Sequence, residues 1–160
     1  MAIYNLTRTQ NIRSDIETVW EFFSNPDNLA TITPEYMNFR VTSRPHTGPV
    51  YPGQIITYKV SPLLGIPLSW MTEITHVQPM KSFVDEQRHG PYKLWHHQHI
   101  FEEIPGGVQM TDIVHYRLPL SLLGDIAHSI FIRQQVNSIF DYRKKAIENI
   151  MHQLMSLFKR

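Results

Sequence analysis

The feature that most constrains this chain is a single change of hydrophobic period. From Asn38 to Leu118 apolar residues recur at every second position, in segments bounded by Pro45-His46-Thr47-Gly48-Pro49, Tyr51-Pro52-Gly53, Pro62 to Pro67, Gln78-Pro79-Met80, Gly90-Pro91 and Pro105-Gly106-Gly107. That pattern predicts about six strands in antiparallel order. After Pro119 the spacing becomes helical: Ile132, Val136, Ile139, Phe140, Arg143, Ile147, Ile150, Met151, Leu154 and Phe158 form one stripe in which only Arg143 is polar. A helix of about 30 residues is expected to close the chain. A sheet with one apolar face and a helix with one apolar stripe bury both when the sheet curls around the helix.

Ile3 to Ile12 reads as a further strand. Ser14-Asp15-Ile16-Glu17 then has the pattern of a capping box with serine as the cap, opening a helix with Ile16, Val19, Trp20 and Phe23 on one face. Asn25-Pro26 ends it and supplies a cap and an N1 proline for a second short helix through Leu29. The expectation is an α+β fold, with a curved antiparallel sheet of about seven strands around a long C-terminal helix and two short helices after strand one. At 160 residues, 42% hydrophobic and 18% charged, one domain over 1–160 has enough chain for a real core.

Fifteen Lys+Arg against fourteen Asp+Glu leave a net charge of +1, and the only basic cluster is Arg143-Lys144-Lys145, so nucleic acid is not an expected partner. The absence of cysteine excludes disulfides, zinc ribbons and thiol catalysis and fits a reducing compartment. The start Met-Ala-Ile-Tyr-Asn-Leu-Thr-Arg has no basic segment followed by an apolar run, and no stretch reaches the roughly 18 uncharged apolar residues of a membrane span. A cytoplasmic protein with no transmembrane segment is the expectation.

The passage Gly90 to Pro119 is the most informative locally. A two-residue type I′ turn at Gly106-Gly107 would set Phe101 opposite Asp112, His99 opposite Val114, His97 opposite Tyr116 and Trp95 opposite Leu118. Alternation then gathers Trp95, His97, His99, Phe101, Asp112, Val114 and Tyr116 on one face, and turns Leu94, His96, Gln98, Thr111, His115 and Arg117 to the other. A short turn after Phe83-Val84-Asp85-Glu86-Gln87 would bring Asp85 and Gln87 beside Trp95 and Lys93.

An apolar enclosure with a few inward polar groups is what a small-molecule pocket needs. The same residues are also consistent with a buried hydrogen-bonded network. A third reading is a two-histidine, one-carboxylate metal site of His97, His99 and Asp112 or Asp85, and a fourth is acid-base chemistry by His97 with Asp112 or Tyr116. The expectation is a pocket without cofactor or metal. His46, His76, His89, His96, His115, His128 and His152 are expected at the surface. Arg143 is expected to snorkel to solvent or pair with an acid. Gly48 to Gly53 is read as a loop at a cavity mouth, and no nucleophile elbow, phosphate loop or dinucleotide fingerprint is present.

The chain resembles the START-like helix-grip superfamily (polyketide cyclase/dehydrase and lipid transport), in particular its bacterial stand-alone ligand-binding branch. The resemblance is carried by Asn25-Pro26-Asp27-Asn28-Leu29 through Thr33-Pro34, Phe83 to Gln87, Gly90-Pro91-Tyr92, Trp95-His96-His97-Gln98-His99-Ile100-Phe101, Thr111-Asp112, Tyr116-Arg117-Leu118-Pro119 and Phe140-Asp141-Tyr142-Arg143. It implies a cavity between the sheet and the long helix. The leading expectation is a binding protein for a small hydrophobic or amphipathic molecule. Trp70, Trp95, Phe101 and Tyr116 would be its walls, and Asp85, Gln87, His97, His99 and Asp112 its polar contacts. A cyclase/dehydratase-type enzyme and a protein-interaction module, with a homodimer compatible with the latter, are the alternatives.

Overall fold

The computed structural model describes residues 2–43, 48–62, 65–119 and 131–157, with side chains described as far as 154. Seven strands form one antiparallel sheet: β1 (Tyr4–Ile12), β2 (Arg40–Val41), β3 (Ile55–Val60), β4 (Leu68–Gln78), β5 (Ser82–His89), β6 (Leu94–Ile104) and β7 (Gly107–Arg117). Their order is β1-β7-β6-β5-β4-β3-β2, so only β1 reaches its neighbour by a long connection. Helix α1 (Ile16–Phe23) and two 3-10 segments, Pro26–Ile32 and Glu35–Met37, follow β1, and helix α2 (Arg133–Leu157) follows β7. This is the α+β helix-grip architecture the change of period calls for. The turn at Pro45–Thr47, His46, His128, the Met155 side chain and the Phe158 end of the stripe lie outside the described residues.

Two details of the early helices differ from expectation. The cap of α1 is Asp15, not Ser14. Its Oδ1 accepts from the Thr18 N–H at 2.7 Å and its Oδ2 from the Thr18 hydroxyl at 2.9 Å. A carboxylate places two acceptors and a full negative charge at the positive helix end, which a serine hydroxyl cannot match. The second helix is 3-10 and runs to Ile32, capped by Asn25, whose Oδ1 accepts from the Asp27 N–H at 3.1 Å.

Strand β7 alternates without a break, burying Val108, Met110, Asp112, Val114 and Tyr116. The apolar interior falls into two clusters along this row. Val108 and Met110 join Trp20, Phe83, Phe101, Ile147 and Met151; Val114 and Tyr116 join Val136 and Phe140. Trp20 locks α1 onto the first cluster, standing edge-on to Phe83 and Phe101 at 6.0 and 5.8 Å. Helix α2 serves both clusters, with Phe140 in one, Ile147 in the other and Arg143 between them.

The β6–β7 register corrects the expected pairing by two residues. Ile104 pairs with Gly107, so the turn is Pro105-Gly106, and Phe101 faces Met110, His99 faces Asp112, His97 faces Val114 and Trp95 faces Tyr116. A type I′ turn needs positive φ at both central residues; Pro105 followed by Gly106 at φ 86° suits a type II turn instead. The second glycine serves a different need. A Cβ at Gly107 would lie 2.1 Å from the Ile12 carbonyl oxygen, so only glycine lets β7 start this close to the end of β1. A shift of two leaves every side chain on its expected face.

The two glycines should therefore differ in what substitution does. Gly107→Ala is expected to cost about 1–3 kcal/mol or more, because a backbone atom must move. Gly106→Ala, with open space around it, should cost only about 1 kcal/mol of left-handed strain. Urea unfolding of the two variants checks this, and equal losses would contradict it.

Candidate functional site

At the seam between the two clusters, the sheet's inner face turns polar. Asp85 on β5, His97 and His99 on β6 and Asp112 on β7 form a square across three strands, with Asp85 opposite His97 and His99 opposite Asp112. Each histidine reaches both carboxylates. His97 Nε2 lies 2.9 Å from Asp112 Oδ1 and its Nδ1 3.3 Å from Asp85 Oδ2. His99 Nε2 lies 2.9 Å from Asp85 Oδ2 and its Nδ1 3.0 Å from Asp112 Oδ1, the last contact close but not aligned as a hydrogen bond. His97, His99 and Asp112 are 4%, 7% and 7% exposed, so these contacts are formed away from water.

A neutral imidazole has one N–H, yet both nitrogens of His97 face carboxylate oxygens. The ring is therefore an imidazolium. Burial opposes its charge, but Asp85 and Asp112 overcome that cost and hold its pKa up at about 9. Burial likewise opposes ionisation of Asp85 and Asp112, and the two histidines reverse the effect, holding both carboxyls well below the usual range. Phe83 stacks on His99 at 4.1 Å and Phe140 of α2 stands edge-on to His97 at 5.7 Å, which fixes the rings in place.

Beside the square lies a cavity of about 170 Å³ between the sheet and α2. Trp70, Asp85, Trp95, His97 and His99 line it, together with Phe22, Phe39, Tyr58, Tyr92, Ile139, Phe140 and Arg143 among others. Trp70, Tyr92 and Trp95 make one aromatic wall, their ring centres 4.8–5.6 Å apart. Trp70 Nε1 donates to Thr72 Oγ1 at 3.0 Å, which sets the ring's orientation.

Four of the expected site residues sit elsewhere. Phe101 is packed in the first cluster, 5.8 Å from Trp20 and 5.5 Å from Phe23. Tyr116 backs the aromatic wall from the far side, 6.1 Å from Trp95 and 5.7 Å from Tyr4. Asp112 stands behind the histidines. Gln87 is a turn clamp: its Nε2 donates to the Tyr92 carbonyl at 2.6 Å and its Oε1 accepts from the Tyr92 N–H at 3.2 Å. It thereby positions Tyr92 in the wall. His96 and His115 are half-buried on the outer face, and His96 Nδ1 meets Glu86 at 3.0 Å, so neither is simply exposed.

Arg143 departs most from expectation. It forms no ion pair among the described residues: the side chain is half-buried, its Nε is buried without a hydrogen-bond partner, and its guanidinium carbon lies 4.9 Å over the Phe140 ring. Burial lowers its pKa, while the fields of Asp112 and Asp85 oppose that shift. Tyr58, also absent from the expected set, is buried with its phenol pushed up by desolvation and by Asp85. Its place in an alternating strand gave no sign of the cavity, whereas Arg143 was the single polar residue in an apolar stripe.

Ligand atoms of Asp85, His97 and His99 lie within 4.8 Å of one another, so the trio could hold a metal ion. To do so the histidine nitrogens that face Asp85 Oδ2 would have to be free of protons.

A base held above its unfolded value stabilises the fold fully below pH about 6.5 and loses that contribution as pH climbs through about 9. The two carboxylates contribute above about 3.8 and lose it as pH falls toward their depressed values. Stability should peak between about pH 4 and 6.5 and fall by about 3 kcal/mol between pH 6 and 9.5. His97→Gln should flatten the alkaline limb. Urea midpoints measured across this range, and found level in the unsubstituted protein, would show that His97 is not charged.

No protein-family model matches the chain, and no curated protein matches it in sequence. Solved structures do match it in shape. An aromatase/cyclase from Streptomyces superposes with a TM-score of 0.74 at 12% identity, covering 95% of this chain and 95% of that one. A protein of Chromobacterium violaceum gives 0.70 at 13% identity, covering 92% and 96%. A major latex-like protein of Panax ginseng gives 0.67 at 15% identity, covering 93% and 97%. With the strand order and the sheet wrapped on α2, these show that the chain has the helix-grip fold.

Proposed function

We propose that this protein binds a small, largely apolar or amphipathic molecule in the cavity between the sheet and α2. The observation that carries the reading is the cavity itself, of about 170 Å³, walled by Trp70, Tyr92, Trp95, Phe140 and Ile139 with a few inward polar groups. Close-packed interiors leave few voids of this size, and one of roughly 150 Å³ already accepts benzene. The space suits a ligand body of about one or two rings rather than a long lipid chain.

The Streptomyces neighbour is an aromatase/cyclase by name, which makes an enzyme the second reading. The electrostatics favour it less. His97 is already an imidazolium at neutral pH, so it is not available as a general base. As a general acid it would leave a neutral ring between two carboxylates. A binding role needs neither step.

Ligand carried through purification should appear by native mass spectrometry as a mass added to the protein and lost on denaturation. In titration calorimetry, the neutral probe 2-naphthamide should bind, and Ile139→Trp, which fills the cavity, should weaken that binding at least tenfold while the circular dichroism stays the same. Undiminished binding to the filled variant would put the probe elsewhere.

A further inference from the structure

We propose that the cavity's ligand is a monocarboxylate: a small acid whose carboxylate pairs with Arg143 while its aromatic or branched apolar body lies against Trp70 and Trp95. This rests on the cavity being a binding site and names the chemistry of what it binds.

Arg143 projects from α2 between Phe140 and Ile147, at the level of the seam, and lines the cavity. A guanidinium carries five donors in a planar fork. Its Nε is buried and donates to nothing, and it joins no ion pair among the described residues. Taking even part of such a group out of water without a partner is unfavourable. The contact with the Phe140 ring offsets only part of that.

The acids within the seam do not complete it. Asp85 Oδ2 already faces His97 Nδ1 and His99 Nε2, and Asp112 Oδ1 faces His97 Nε2 and His99 Nδ1. Their charges stabilise Arg143 at a distance, but neither acid forms an ion pair with it. A carboxylate entering from the cavity side would supply the matching acceptor. A carboxylate offers two coplanar oxygens to the fork and one negative charge to one cation. A phosphate monoester would bring close to two charges into a space with one uncommitted arginine. Val136, Ile139 and Phe140 beside Arg143 in the cavity wall are apolar, and His97, which also lines the cavity, already faces two carboxylates, so Arg143 is the cation open to the ligand's charged end.

The test compares two probes of nearly equal shape, 2-naphthoate and 2-naphthamide, by calorimetry at pH 7 on the full chain, with Arg143→Met and Arg143→Lys variants whose folding is checked by thermal melts. The acid should bind at least tenfold more tightly than the amide. Arg143→Met should bring that ratio to about one, and Arg143→Lys should keep part of it. Equal affinities in the unsubstituted protein, or an acid preference that survives Arg143→Met, would overturn the inference while leaving the cavity a binding site. Failure of both probes to bind would overturn the binding reading and this inference together. Should the methionine variant not fold, the ratios for the unsubstituted protein and the lysine variant still decide.

Discussion

Two carboxylates on the strands flanking β6, Asp112 buried and Asp85 half-buried, can be tolerated only if something charged stands between them. Here that is His97 of β6, with His99 closing the square. Each ring bridges Asp85 on one side and Asp112 on the other, so β5, β6 and β7 are joined on their inner face by four contacts of 2.9–3.3 Å. The geometry is unforgiving. A slip of one residue would turn the histidines to solvent and leave the two acids without partners; a slip of two would set His97 against Tyr116 and His99 against Val114. The polar square thus selects the register that backbone pairing alone leaves open, and it does so where β4 and β5 already carry irregular pairing that bends the sheet.

The square also explains why the interior is two apolar clusters rather than one. Along β7 the buried row runs apolar at Val108 and Met110, ionic at Asp112, and apolar again at Val114 and Tyr116. Along β6 it runs Phe101, then His99 and His97, then Trp95, and along α2 it runs Ile147, Arg143, Phe140. Sheet and helix interrupt their apolar rows at the same level. Apolar side chains from α2 gain little by closing onto imidazolium and carboxylate, while the aromatic wall of Trp70, Tyr92 and Trp95 keeps its own spacing through ring-to-ring contacts. The cavity is what remains where neither side can complete the other.

Much of this was legible in the sequence because it depends on period alone. The change from period two to a helical stripe specifies a sheet that grips a helix, and alternation specifies which side chains of Trp95 to Phe101 and Asp112 to Tyr116 share a face. That result survived a mistaken turn, since moving the turn from Gly106-Gly107 to Pro105-Gly106 shifts each partner by two and changes no face. What period does not carry is depth along the face. Phe101, His99 and Tyr116 are equivalent by alternation, yet one is core, one lines the cavity and one lies behind its wall. Their fates are decided by where α1 and α2 cross the sheet, which no local pattern encodes. Gln87 was misplaced for a related reason: a glutamine near a turn satisfies backbone groups in the turn before it reaches a pocket.

Arg143 is the instructive case. In the sequence it is one polar residue in a stripe of apolar ones, and the ordinary expectation for a long cationic side chain there is to reach water. It is half-buried at the cavity wall, because its position, one helical turn from Phe140 and one from Ile147, places it at the seam. There the field of the two carboxylates offsets the cost of desolvating a cation although neither forms an ion pair with it. The same square that fixes the register therefore holds an unpaired cation at the cavity wall, and under the proposed binding role that cation would orient a ligand with its apolar body toward the tryptophans and its acceptor toward α2.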